Sequence, residues 1–452
     1  MIKISIITVF PELYDNFIKT SLIGRAVDDG LVQFNFVKLS DMCQPKERID
    51  EPTVGPGAGM IIKPEVIEKA INLCQEKSGV GFKIFFSPQG EKLNQRVLRK
   101  LFNQLVFDKP INSNTDAKDT DPSNFKHIIL ICSRYEGIDE RVEKYYSDLS
   151  LSIGDYVLMG GDLPAQVFLE CFLRLLPNVV GRSESVENES FQSSFLDHPE
   201  YGLPVEWKDQ YVPEILRSGN HAEIEKWRKN QACQKTILNR FDWFASNQPT
   251  AAEIALALKN IPNHYVVLMH SQVNTKDGNL SGHTSVASID IHDIARSSAT
   301  YGIKKYFLVT GLEDQFKIMQ QFLEFWHSDV GLNYNASRYK AVERVKPVRS
   351  FDEVVKDIEE LENAKPLIVT TSAKDHGNGT KIDYNSQGLV WKHNRPVLIV
   401  LGTGQGLCEE IMKKSDFILA PVTGMTGYNH LSVRSAAAII LDRWLGLHPI
   451  TE

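Results

Sequence analysis

The feature that most constrains this chain is a rhythm: short apolar runs of strand length, bounded by turn residues, alternate with stretches of helical spacing. Residues 2–10, 32–39, 82–87 and 127–132 are such runs, and 63–76 is an intervening helical stretch. Runs apolar throughout are buried on both faces, as in a parallel sheet covered by crossover helices. The rhythm stops after Val179, where GRSESVENESFQSS is polar and aperiodic, and a helical piece follows over 219–244. It restarts at Asn260-Ile261-Pro262-Asn263, with strand-like runs at 264–269, 305–310, 366–371, 396–401 and 417–421 and a final helix over 431–445. The expected fold class is therefore α/β, in three parts: an α/β domain over 1–180, a flexible linker plus helical domain over 181–259, and a second α/β domain over 260–452.

A length of 452 residues, 42% hydrophobic and 24% charged, suits more than one soluble globular core. The net charge of −7 leaves neither part basic overall, with about 30 basic against 36 acidic residues before Asn260 and about 20 against 21 after it. Any nucleic-acid site must then be a local basic patch. Six scattered cysteines without a CxxC pair, and no basic-then-apolar leader, point to a reducing cytoplasm. The apolar runs are too short to span a membrane, so no membrane partner is expected. The stretch 109–124 (KPINSNTDAKDTDPSN) has nothing to bury and reads as a mobile surface loop.

Four segments stand out: Val54 to Met60 (VGPGAGM), Ser87-Pro88-Gln89-Gly90 after a strand, Ser133 to Arg141 (SRYEGIDER) after another, and SIGDYVLMGGDLPA from Ser152 to Ala165. Glycines let backbone N–H and C=O groups approach a ligand closely, but each turn alone reads more readily as a tight connection. None matches a phosphate-cradling Walker loop or a GxGxxG fingerprint. No His or Cys pair has zinc spacing, and no metal ligands are assigned.

In order, the segments ISIITVFPELY, LIGRAVDDGL, SPQG, RYEGIDERV, SIGDYVLMGGDLPA and SGNHAEIEKWR closely resemble the tRNA (guanosine-37-N1)-methyltransferase family, TrmD, of the SPOUT superfamily. The resemblance covers about residues 1–245. It implies a deep trefoil knot, a homodimer, tRNA as substrate and S-adenosylmethionine as cofactor, with Mg²⁺ a second candidate cofactor. Carried over by position, the cofactor loops are Pro88; Ser133, Tyr135, Glu136 and Gly137; and Ile153, Gly154, Asp155, Tyr156, Val157 and Leu158, followed by Gly160, Gly161 and Pro164. A neutral planar base needs directional main-chain partners and an apolar slot, which Ile153, Tyr156 and Leu158 could line; ordinary core is the alternative reading.

Guanine N1 carries a proton and is a poor nucleophile until that proton leaves, and its loss pushes negative charge onto O6. A general base and a nearby cation are therefore needed. The family's arginine falls on Arg174 in ECFLRLLP and its linker aspartate on Glu189 in SVENESF, one methylene longer; Asp197 or a water is the fallback base. Pro56, Ser133 and Met159 also depart from the family pattern, which bears on cofactor geometry. Arg217, Lys226, Arg228, Lys229 and Lys235, clustered with Trp227, are implied to contact tRNA, while His221 and Trp227 themselves read as packing and hydrogen-bonding residues.

The last part resembles SPOUT methyltransferases more weakly, over about 261–446, through PVLIVLGTGQG and ILAPVTGMTGYNHLSVR. The resemblance assigns Thr370, Ser372, Gly402, Gly404, Gly406, Pro421, Leu431 and Ser432 to cofactor contact and a knot of its own. Asn429 and Arg434 could handle RNA or the reaction, but no base is evident. His283, His376 and His430 read as loop hydrogen-bonders. Two alternatives stand beside the enzyme reading: an RNA-binding module with a degenerate first site, or activity residing in the C-terminal domain.

Overall fold

A computed structural model describes residues 1–55, 59–106, 127–180, 189–275, 281–373 and 379–448. The stretch 109–124, Pro56 and His376 lie outside the described residues. The chain forms two compact units, Met1–Glu189 and Ser190–Glu452.

In the first unit, strands β1 (Ile2–Thr8), β2 (Val32–Lys38), β3 (Gly81–Lys92), β4 (His127–Ile131) and β5 (Leu149–Ser152) form one sheet in the order β2-β1-β4-β3-β5, parallel throughout. Side chains alternate between its faces, as a two-residue period requires. Ile4, Ile84, Ile128 and Leu130 face α1 (Ser21–Asp28), α3 (Gln95–Val106) and α5 (Asp162–Leu173). Ile7, Phe85, Ile129 and Ile131 face α2 (Pro64–Ser78) and α4 (Glu140–Tyr146). All five residues of β4 are buried, which is why IILI after His127 is apolar without alternation.

In the second unit a short antiparallel ribbon, Glu206–Trp207 with Gln210–Tyr211, precedes α6 (His221–Asn239), α7 (Phe241–Ser246) and α8 (Ala251–Asn260). Thr250 and Glu253 form a reciprocal capping box at the start of α8. A seven-stranded parallel sheet follows, built from β6 (His264–Met269), β7 (Lys305–Val309), β8 (Val345–Val348), β9 (Leu367–Thr371), β10 (Lys381–Ile382), β11 (Val397–Gly402) and β12 (Phe417–Leu419). The order is β8-β7-β6-β11-β9-β12-β10. Both units are thus α/β with parallel sheets.

His264 and His270 are buried and held neutral, desolvation pushing each pKa down to about 4. A histidine pKa depressed on folding contributes stability that is complete above the unfolded value and is lost as pH falls toward the folded one. Between pH 7 and pH 5 each should cost about 2 kcal/mol, so the Tm of the second unit should drop by several degrees. A thermal melt series checks this; a flat Tm over that window would contradict it, and His264→Gln should shallow the slope.

Candidate functional site

The carboxyl ends of β3, β4 and β5 open into a cavity of about 410 Å³. Its wall contains Pro88, Ser133, Tyr135, Glu136, Gly137, Ile153, Gly154, Tyr156, Val157, Leu158, Gly160, Gly161 and Pro164. Three separate loops therefore converge where parallel α/β sheets place their ligands. Of the first-domain residues expected here, Asp155 is absent from the lining: its carboxylate pairs with Lys92 Nζ at 2.7 Å, and both side chains are largely exposed. Met159 is also outside the lining and 89% exposed, so its bulk does not narrow the cavity.

Backbone approach explains the paired glycines. A Cβ on Gly161 would lie 2.9 Å from Cys132 Cα, and one on Gly160 would lie 2.6 Å from Arg134 Cδ. Their absence lets Gly161 N–H donate to Ser133 O at 2.8 Å, tying the loop after β4 to the start of α5. A second tie is electrostatic. Asp162, 1% exposed, accepts from Arg134 Nε at 2.9 Å and Nη2 at 2.6 Å, from Thr8 Oγ1 at 2.5 Å and from Tyr14 O–H at 3.3 Å. Arg134 also covers the Phe10 ring at 5.0 Å. Burial, with the neighbouring Cys132 and Asp162, raises the Tyr14 pKa, keeping its hydroxyl a donor.

Among the described residues the lining carries Glu136, Glu140 and Glu143 and neither Lys nor Arg. Such a wall favours a cationic guest. Sequence patterns give no role to the aromatic floor of Phe85 and Phe86, nor to Glu140, which lies inside the quoted RYEGIDERV, and Glu143, the residue just after it.

Arg174 caps the C-terminus of α5 and meets Glu189 in a bidentate pair, Nη1 and Nη2 each 2.6 Å from a carboxylate oxygen. Both are half-buried. That bond raises the Arg174 pKa, so the guanidinium is a fixed positive charge. Asp197 belongs to the second unit; its carboxylate accepts from the His198 N–H at 2.8 Å.

A family model described as tRNA (Guanine-1)-methyltransferase TrmD matches residues 2–108 and 103–246. A relative named tRNA (guanine-N(1)-)-methyltransferase, from Nitratidesulfovibrio vulgaris, is 35% identical over 450 residues, which is 98% of this chain and 99% of that protein. This chain belongs to the TrmD family.

Another member with the same printed name, from Oleidesulfovibrio alaskensis, is 34% identical across 98% of this chain and 99% of its own. A shorter TrmD-family relative from Dictyoglomus turgidum is 38% identical over 258 residues, 57% of this chain and 95% of that protein. Residues 263–446 match a second model, described as SAM-dependent RNA methyltransferase.

In that second domain, neighbouring strands β11, β9 and β12 bring the expected loops to one sheet edge. Gly404 (φ +63°) and Gly406 (φ +102°) shape the turn after β11, and Asn274 braces it, its backbone bonding Gly406 O and Gln405 N–H at 2.8 Å. Asn429 Nδ2 donates to Ala373 O at 2.7 Å, joining the loop that holds Pro421 and Leu431 to the segment beside Ser372. Thr370 is fully buried and its hydroxyl bonds Ser415 Oγ at 2.8 Å, so its side chain serves the core. Ser432 caps the terminal helix Val433–Leu445 by accepting from Ser435 N–H. Arg434 reaches Asp290 at 3.2 Å. His283 bonds Ser271 Oγ at 2.8 Å, and the His430 ring lies against Tyr428.

Among the described residues no three His, Cys, Asp or Glu side chains gather as metal ligands, so the Mg²⁺ candidate finds no support there. Among them, too, no helix is long and apolar enough to cross a membrane.

Proposed function

We propose that this TrmD-family member transfers a methyl group from S-adenosylmethionine to N1 of guanosine 37 in the anticodon loop of tRNA, at the cavity of the first unit. The observation that carries the reading is the wall of that cavity, where three loops supply main-chain groups and three carboxylates stand with no basic side chain among the described residues. It fits a cofactor that combines a neutral base with a positively charged sulfonium. When bound, S-adenosylmethionine supplies an electrophilic methyl group.

The chain's own residues handle the proton and the charge. Glu189 accepts the N1 proton of guanine, and Arg174 stabilises the negative charge that develops on O6. In the RNA-free protein the two satisfy each other. Guanine entry therefore exchanges one acceptor of Arg174 for another and frees Glu189 as base. Lys226, Lys229 and Lys235 on α6 are exposed and suit phosphate contact. By family resemblance the first domain is a trefoil-knotted SPOUT fold acting as a cytoplasmic homodimer. The C-terminal domain, with its three loops at one edge, is read as a second knotted unit that binds the same cofactor.

Calorimetric titration of the full chain tests the cofactor assignment. Saturable binding of S-adenosylmethionine is expected, with loss of the first-unit site in Gly161→Val, whose side chain would press on Cys132. Unchanged stoichiometry in that variant would contradict the assignment.

A further inference from the structure

Helices α6, α7 and α8 do not form a core of their own. Cys233, Ile237 and Phe241 belong to one continuous buried cluster with Ile399 of β11 and Leu441 of the terminal helix. Three local ties reinforce it. His264 on β6 donates from Nδ1 to Pro262 O at 2.7 Å, and its Nε2 accepts from the indole N–H groups of both Trp391 and Trp444, at 3.2 and 3.0 Å. Phe241 sets its ring edge-on to Trp391 at 5.0 Å. This locks the α6–α7 corner onto the strand.

The second tie is a backbone approach. Gly388 sits so close to the end of α6 that a Cβ there would fall 1.9 Å from Leu238 O. In the third, His448 N–H, beyond the terminal helix, donates to Ala245 O at 2.7 Å. Meanwhile Lys226, Lys229 and Lys235 on α6 remain exposed.

We propose that the C-terminal domain is the platform of the RNA-holding helices, so that the reaction of the first unit takes its grip on tRNA from the fold of the second sheet. This rests on the reading above that these helices contact tRNA. The platform belongs to this long form of the chain: in the Dictyoglomus turgidum relative, 258 matched residues make up 95% of the protein, leaving no room for a second sheet. A fragment cut at Ile261 would run through the shared core.

Two measurements on the full chain test the proposal. In native-state hydrogen exchange, amides of α6 and α8 should open together with those of β6 and β11, as one cooperative unit. Separate, easier opening of the helices would overturn it. In the second, Gly388→Ala forces the seam with Leu238 apart. If the helices then hold their RNA-binding pose about a tenth of the time, the apparent Kd for unmodified tRNA rises roughly tenfold, with S-adenosylmethionine affinity unchanged. Helix amides that exchange faster in Gly388→Ala while tRNA affinity stays within twofold of wild type would overturn the platform, as would a seam left unloosened by the added carbon. Wild-type chain that binds no tRNA would instead remove the underlying assignment of the helices.

Discussion

Arg174→Ala and Glu189→Gln should each lower the single-turnover rate of methyl transfer by on the order of 10²-fold or more while leaving S-adenosylmethionine affinity nearly unchanged. Neither side chain lines the 410 Å³ cavity, so neither has cofactor contacts to lose. Both stand at the end of α5, where the bidentate pair holds a carboxylate and a guanidinium together. The conservative Glu189→Asp shortens the reach by one methylene and should retain far more activity than Glu189→Gln, because it keeps the base. Rapid-quench kinetics at saturating cofactor check the set. Near-wild-type turnover in Glu189→Gln would remove it from the proton-accepting role and turn attention to Asp197.

Asp162→Ala should be the most damaging single change to the first unit. It strips Arg134 of both carboxylate bonds and leaves the Thr8 hydroxyl without its acceptor in a site of 1% exposure, while the Tyr14 hydroxyl keeps the Asp162 carbonyl at 3.3 Å. Removing one partner of a buried ion pair costs about 3–5 kcal/mol, which for a unit of this size corresponds to a Tm drop on the order of 10 °C. Because the pair ties the loop after β4 to the start of α5, cofactor affinity should fall together with stability. Thermal denaturation and calorimetric titration of Asp162→Ala and Arg134→Ala check this. A loss under 1 kcal/mol in both would contradict the clamp.

The sequence made the sheets legible where burial is two-sided and opaque where it is not. The HIILI of β4 and the HYVVLM of β6 run on without alternation after a leading histidine because every residue is buried. The LSLS of β5 is short and half polar, and the VKPV of β8 contains a proline, tolerated because β8 lies at the edge of its sheet. The continuous helical piece expected over 219–244 breaks at Arg240 into α6 and α7. The attachment of α6 to the second sheet was hidden for a related reason. That helix is polar along most of its length and buries only Ala232, Cys233, Thr236 and Ile237.

At the site, loops quoted for their glycines do converge, because consecutive parallel strands deliver their C-terminal turns to one edge. The Arg134–Asp162 clamp was missed, since pairing across 28 residues leaves no periodic signal. An acidic residue directly after Gly160-Gly161, at a helix start facing the core, was the available hint. Asp155 shows the reverse case: membership of a loop motif does not fix which side chains point inward, and its carboxylate turns to Lys92.

The most direct test is to incubate the full chain with isotopically labelled S-adenosylmethionine and unmodified tRNA, then digest the RNA and map the labelled nucleoside. The label is expected as N1-methylguanosine at position 37, lost in Glu189→Gln and in tRNA carrying another base there. Label in a different nucleoside, or labelling at position 37 undiminished in Arg174→Ala and Glu189→Gln, would contradict the assignment of the reaction to the first unit.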